Sequence, residues 1–275
     1  MKPKGTLLII GGAEDKGTDN EKRANISFEH FEILKELLPV KRGKRIQVVT
    51  TASNVPVQVE EMYRDAFDKL GFTNIDFIEI KDKIEARGAE LCEKIGTAHA
   101  VFFSGGDQFK LTATLGGTET IKMIREKYLH DKDFIVAGTS AGAMAVAEIM
   151  IYEGGVHESI LKDDLKITSG FGMLQNCIVD THFIKRGRFG RLAHAVTMNP
   201  GVLGIGLGED TALLIKHEIA ECKGSGVVVI VDGNEILQTN IAEIEDGSPI
   251  FVENLKVHLL SKGCKFSIDK RELIK

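Results

Sequence analysis

The chain has 275 residues, 43% hydrophobic and 27% charged, with a net charge of -5 and a pI near 5.9. That length suits one large domain spanning 1–275 with a full core, and the composition gives no case for disorder. The acidic balance argues against a nucleic-acid partner, and the N-terminal apolar run Leu7 to Ile10 is too short for a signal-peptide core or a membrane span, so a cytoplasmic protein with no membrane partner is expected. The four cysteines, Cys92, Cys177, Cys222 and Cys264, form no CxxC pair. Reduced thiols are therefore expected, with no metal site and no disulfide framework.

Leu7 to Ile10 reads as a buried parallel-type strand running into Gly11 and Gly12, where open α/β sheets place ligand loops. The charges that follow, Glu14 and Asp15, read as solvated side chains of a tight turn. Apolar spacing predicts helices over Ile26 to Leu38, closed by Pro39, and over Val57 to Leu70, Glu85 to Ile95 and Thr118 to Tyr128. Strands are predicted at Ile46 to Val49, Ile75 to Ile80 and Ala100 to Phe103. The regular alternation implies an α/β fold with a doubly wound, mostly parallel sheet flanked by helices.

After Phe103 come Gly105 and Gly106, whose backbone N–H groups would face the mouth of the sheet; Asp107 can cap the next helix, and Gln108 is a candidate substrate contact. The segment Phe134 to Ala147, FIVAGTSAGAMAVA, is an apolar strand, a GxSxG turn and an alanine-rich, helix-favouring run. Glycines at Gly138 and Gly142 let such a turn tighten until Ser140 points outward, beside the first helical amides, where an oxyanion would be stabilised. Ser140 is thus a candidate nucleophile, with the amides of Ala141 and Gly106 as oxyanion donors.

Downstream, Glu153 and Glu158 flank the glycine pair Gly154 and Gly155, and either could orient a general base. His182 ends the apolar run Ile178 to Asp180, which suits a general base. The segment after it carries Lys185, Arg186, Arg188 and Arg191. On a helix Arg188 and Arg191 share a face and could grip substrate carboxylates. Leu203 to Leu207 and Thr211 to Ile215 read as strands joined by a polar turn containing Glu209, and the remainder as strands and hairpins.

Five stretches, GGAEDK at Gly11 to Lys16, FFSGGDQ at Phe102 to Gln108, GTSAGA at Gly138 to Ala143, DTHF with RGRFGRL between Asp180 and Leu192, and GIGLGEDTA at Gly204 to Ala212, occur in an order that resembles the cyanophycinases of serine peptidase family S51, which also contains aspartyl dipeptidase E. The resemblance implies a class I glutamine amidotransferase-like architecture, a flavodoxin-like three-layer sandwich. It also implies a Ser-His-Glu triad of Ser140, His182 and Glu158, with Glu153 as fallback, needing no cofactor. The implied substrate is cyanophycin, a polyaspartate carrying arginine on its β-carboxyls, cut to β-Asp-Arg; the nearer alternative is an aspartyl or isoaspartyl dipeptide. For such chains the resemblance assigns Arg188 and Arg191 to carboxylates, Asp180 and Glu209 to guanidinium groups and Gln108 to the peptide. Thr181 stands in the pocket where the family has glutamine, and a homodimer is implied.

Overall fold

A computed structural model of the chain describes residues 2–17, 28–38, 44–154 and 160–274. Its first strand, β1 (Thr6–Ile10), is buried throughout. Strand side chains alternate between faces, so Leu7 and Ile9 enter one apolar core while Leu8 and Ile10 enter a second on the other side of the sheet. That two-sided burial is why TLLII is a continuous apolar run.

The elements after β1 are α1 (Glu32–Lys35), β2 (Arg45–Val49), α2 (Pro56–Lys69), β3 (Ile75–Ile78), α3 (Ala89–Thr97), β4 (Ala98–Phe103), α4 (Gln108–Leu115), α5 (Glu119–His130), β5 (Ile135–Thr139) and α6 (Ala141–Ala145). Then come β6 (Ala147–Gly154), β7 (Leu165–Ser169), β8 (Leu174–Asp180), α7 (Phe189–Met198), β9 (Leu203–Leu207), β10 (Thr211–Lys216), β11 (Ile219–Gly224) and β12 (Val228–Asp232). The short pair β13 (Gln238–Thr239) and β14 (Val252–Glu253) precedes β15 (Lys256–Leu260), β16 (Lys265–Ser267) and β17 (Glu272–Ile274).

Two sheets form. One has the order β17-β16-β11-β10-β1-β5-β4-β2-β3, and the other β15-β12-β9-β8-β6-β7. The half of the first sheet from β1 to β3 is parallel, while β10, β11, β16 and β17 extend it antiparallel. In the second sheet β6, β8 and β9 are parallel. The α1 and α2 face of the first sheet forms one core, and its opposite face shares the larger core with α3, α5, α6 and the second sheet. The mixed α/β sandwich agrees with the alternation read from the sequence.

Two elements differ from expectation. The alanine-rich run yields a helix of five residues, α6, every one buried, and the chain then becomes β6, paired between β7 and β8. Alanine's helix preference is weak per residue, and Ile149 and Ile151 gain more by joining the second sheet. Of the helix expected from Ile26 to Leu38, α1 is the helical part within the described residues; Ile26 and Pro39 lie outside them. Among the described residues no helix is long and apolar enough to cross a membrane.

Candidate active site

Ser140 sits between β5 and α6 with φ 50° and ψ -113°, a conformation that costs an L-residue free energy and is held by its surroundings. Those surroundings are tight. A Cβ on Gly138 would lie 2.5 Å from the backbone of Gly142, and one on Gly142 would lie 2.2 Å from Phe103 O, so the elbow closes only with glycine at both positions. Gly105 approaches the serine from β4, where an added Cβ would stand 3.4 Å from Ser140 Cβ. Gly106 and Ala141 line the same pocket, and Asp107 caps α4 by accepting from the N–H groups of Phe109 and Lys110.

His182 Nε2 lies 3.0 Å from Ser140 Oγ, and Nδ1 lies 2.7 Å from Glu209 Oε1. Nδ1–H donating to the carboxylate leaves Nε2 as acceptor for the serine hydroxyl. Burial pushes the Glu209 carboxyl up, but hydrogen bonds from His182 and Lys185 outweigh it and hold the group below the ordinary glutamate range. Lys185 Nζ donates to Glu209 Oε2 at 3.1 Å.

Three consecutive carbonyls at the end of β1 align this row. Ile10 O accepts from Ser140 N at 3.0 Å, Gly11 O from His182 N at 2.8 Å, and Gly12 O from Asp210 N at 2.9 Å. Gly12 itself has φ 95°, and a Cβ there would stand 2.5 Å from both Cε1 and Nε2 of His182. The imidazole therefore packs directly on the glycine's bare backbone.

Glu14 and Asp15, expected as solvated turn charges, are 1% and 3% exposed. Glu14 accepts from Tyr63 Oη, from Thr139 Oγ1 at 2.7 Å and from Lys16 Nζ at 3.1 Å. Burial opposes its ionisation, yet the Lys16 charge and the two hydroxyls hold its pKa at about 2. It ties the first loop to α2 and to the residue preceding Ser140. Asp15 accepts from the N–H groups of Gly17 and Phe31, and its own N–H donates to Asp210. Polar density after a strand signals solvation and buried anchoring equally, so only tertiary partners distinguish them.

Arg188 and Arg191, expected to grip substrate, both turn inward to Asp180, itself expected to hold a guanidinium group. Asp180 is 0% exposed; Arg188 Nη1 reaches its Oδ1 at 3.1 Å, and Arg191 binds both carboxylate oxygens. Arg188 also donates to Thr181 O at 2.7 Å, and burial brings its pKa down to about 10 against the pull of Asp180. The three groups satisfy one another and brace the wall beside His182. Arg186, which lines the pocket, is exposed and makes no ion pair among the described residues.

Thr181 is buried and lines the pocket. Gln108 lines it too, with Nε2 donating to Ile151 O at 3.0 Å. Glu158 lies outside the described residues, and Glu153 is bound to Lys166 at 2.8 Å on β6. The carboxylate on His182 is Glu209, a residue expected to meet the substrate. A signal for it exists: Glu209 follows the carboxyl end of β9, the parallel neighbour of the strand that delivers His182. Among the described residues no cluster of His, Cys, Asp or Glu could hold a metal ion.

Comparison with known proteins adds a family. A model described as Peptidase family S51 matches residues 7–222. A cyanophycinase of Synechococcus elongatus is 32% identical over 263 residues, 94% of this chain and 78% of its own. That of Trichormus variabilis is 31% identical over 274 residues, 98% and 88% of the two chains, and that of Geminocystis herdmanii 31% over 267 residues, 96% and 94%. Among solved structures, a peptidase from an acI-B1 Actinobacterium matches with TM-score 0.66 at 22% identity over 97% and 98% of the two chains. A putative peptidase E from Listeria monocytogenes matches with TM-score 0.57 at 16% identity over 81% and 99%. At those identities the likeness shows a shared fold.

Proposed function

The chain belongs to peptidase family S51 and is a peptidase; from that premise we propose that it cleaves peptide bonds with Ser140, His182 and Glu209 as its triad. The observation that carries this reading is the continuous row from Ser140 Oγ through His182 to Glu209 at 3.0 and 2.7 Å. Ser140 Oγ attacks the carbonyl carbon as Nε2 takes its proton, and Glu209 stabilises the imidazolium and fixes its tautomer. The oxyanion forms between the amides of Ala141 and Gly106. His182 then protonates the leaving amine, the C–N bond breaks, and a water deprotonated by His182 hydrolyses the acyl ester.

The substrate we propose is cyanophycin, cut to β-Asp-Arg. The relatives described as cyanophycinases support it, and Arg186 supplies a cation for a backbone or side-chain carboxylate. Thr181, buried beside His182, forms part of the pocket wall. Incubation with cyanophycin followed by mass spectrometry tests the assignment: β-Asp-Arg is expected, released by the parent chain and not by Ser140→Ala. Cleavage of other peptides without β-Asp-Arg would remove cyanophycin as substrate.

A second reading, an aspartyl or isoaspartyl dipeptidase, draws on the same geometry. With Arg188 and Arg191 bound to Asp180, Arg186 is, among the described residues lining the pocket, the cation left to answer a carboxylate, which suits a small acidic peptide. A requirement for a free amine in short substrates would favour it. The proposal includes a homodimer, as the motif resemblance implies, and a cytoplasmic location, with sedimentation and cell fractionation as their tests.

A further inference from the structure

A cavity of about 780 Å3, larger than the catalytic pocket of about 380 Å3, opens at the opposite end of the strands. Leu174 begins β8 at this cavity and Asp180 ends it beside the catalytic row; Leu203 begins β9 here and Glu209 lies just beyond its other end. The separation is therefore roughly 20 Å, at about 3.3 Å per strand residue.

Its charges are uneven in an informative way. Lys2 pairs with both Glu218 and Asp269, the latter at 3.4 Å, so one ammonium serves two carboxylates. Arg271 is committed to Asp232 and to Gly201 O. Arg125, projecting from α5, is exposed and makes no ion pair among the described residues; its guanidinium lies over Gly172, 3.9 Å from where a Cβ would stand. Among the described residues the lining thus presents two carboxylates to the single Lys2 ammonium and one guanidinium without an ion pair. Leu174, Leu203 and Ile215 supply apolar wall between these polar groups. A cleft of this size, with charged groups beside stretches of apolar wall, has room for a small molecule.

We propose that this cavity binds a short peptide of two or three residues with both termini free and aliphatic side chains. The C-terminal carboxylate takes the Arg125 fork bidentately, the N-terminal ammonium sits between Glu218 and Asp269, and the side chains lie on the leucine and isoleucine wall. A blocked peptide of the same shape lacks both charges and is excluded.

Calorimetry on the Ser140→Ala chain, which cannot consume a peptide, tests this with Leu-Leu and with N-acetyl-Leu-Leu-amide. Saturable binding of Leu-Leu is expected, with no binding of the blocked peptide. Adding Arg125→Ala or Glu218→Gln weakens Leu-Leu by about tenfold or more, as loss of a charged hydrogen bond does, whereas adding Arg186→Ala in the catalytic pocket leaves it unchanged. Arg125 is exposed, and an unaltered melting temperature shows that its variant is folded. Failure of Leu-Leu to bind, indifference to both cavity substitutions, equal binding of the blocked peptide, or loss through Arg186→Ala instead would each overturn the proposal.

Discussion

Glu209→Gln changes one atom of the catalytic row and keeps its shape. The glutamine can still accept from His182 Nδ1 at the 2.7 Å position, but it carries no charge to offset the imidazolium formed during attack. Unit charges about 4 Å apart near a protein surface interact by about 4 kcal/mol, which corresponds to about three powers of ten in rate. The loss should therefore appear as a fall in kcat of about 10^3-fold with KM little changed, because the charge is needed only when the proton has moved. Hydrolysis of a chromogenic aspartyl peptide gives the constants, and fluorophosphonate labelling of Ser140 gives the acylation rate without turnover. Glu158→Gln in parallel should stay within about twofold of the parent. A Glu209→Gln enzyme within tenfold of the parent, or a large loss in Glu158→Gln, would refute the assignment of the third triad member.

Three further outcomes follow from the same geometry. Gly12→Ala drives a Cβ into the imidazole at 2.5 Å and forces alanine to φ 95°, so kcat should fall by about 10^2-fold or more, as it does for misplacements near 1 Å; normal labelling of Ser140 would contradict this. Glu14 has its folded pKa depressed from 4.5 to about 2, so it stabilises the fold fully above about pH 4.5 and loses that contribution as pH falls towards 2, an effect of about 3 kcal/mol. Urea titrations of Glu14→Gln should therefore differ most from the parent at neutral pH and converge in acid; a constant difference would exclude the linkage. Asp180→Asn leaves Arg188 and Arg191 without their buried partner and should cost about 3–5 kcal/mol of stability, whereas exposed Arg186→Ala should leave stability within about 0.5 kcal/mol and raise KM. Equal stability loss in the two variants would show that the clamp is not what braces the wall.

The fold was legible because its central strands are apolar runs and its helices periodic. That Ser140 and His182 come together, 3.0 Å apart, follows the sequence pattern of a serine between close glycines after one strand and a histidine ending another; their roles as nucleophile and base belong to the proposal. Glu209 could be placed at the site from its position after a strand end, but its partner could not be read, since a carboxylate in a polar turn looks the same whether it meets solvent, substrate or an imidazole. The arginines misled for a related reason. Spacing places Arg188 and Arg191 on one face of a helix but cannot say whether that face turns toward the pocket or toward a buried aspartate eight and eleven residues back in the chain. Glu14 was hidden by its partners, which come from α2 and β5, 49 and 125 residues away.

The three carbonyls of residues 10 to 12 tie an early piece of the chain to segments made much later. Serine, histidine and the segment carrying the glutamate hang from one short piece of backbone at the start of the chain, but Glu209 is made only after three quarters of it. β1 pairs with β5 and receives Ser140 on Ile10 O and His182 on Gly11 O, all from residues before β10, whereas Gly12 O waits for Asp210 at the start of the turn into β10. On the proposed triad, the row from Ser140 to Glu209 is complete only once residue 209 has been made, after the strands that deliver Ser140 and His182.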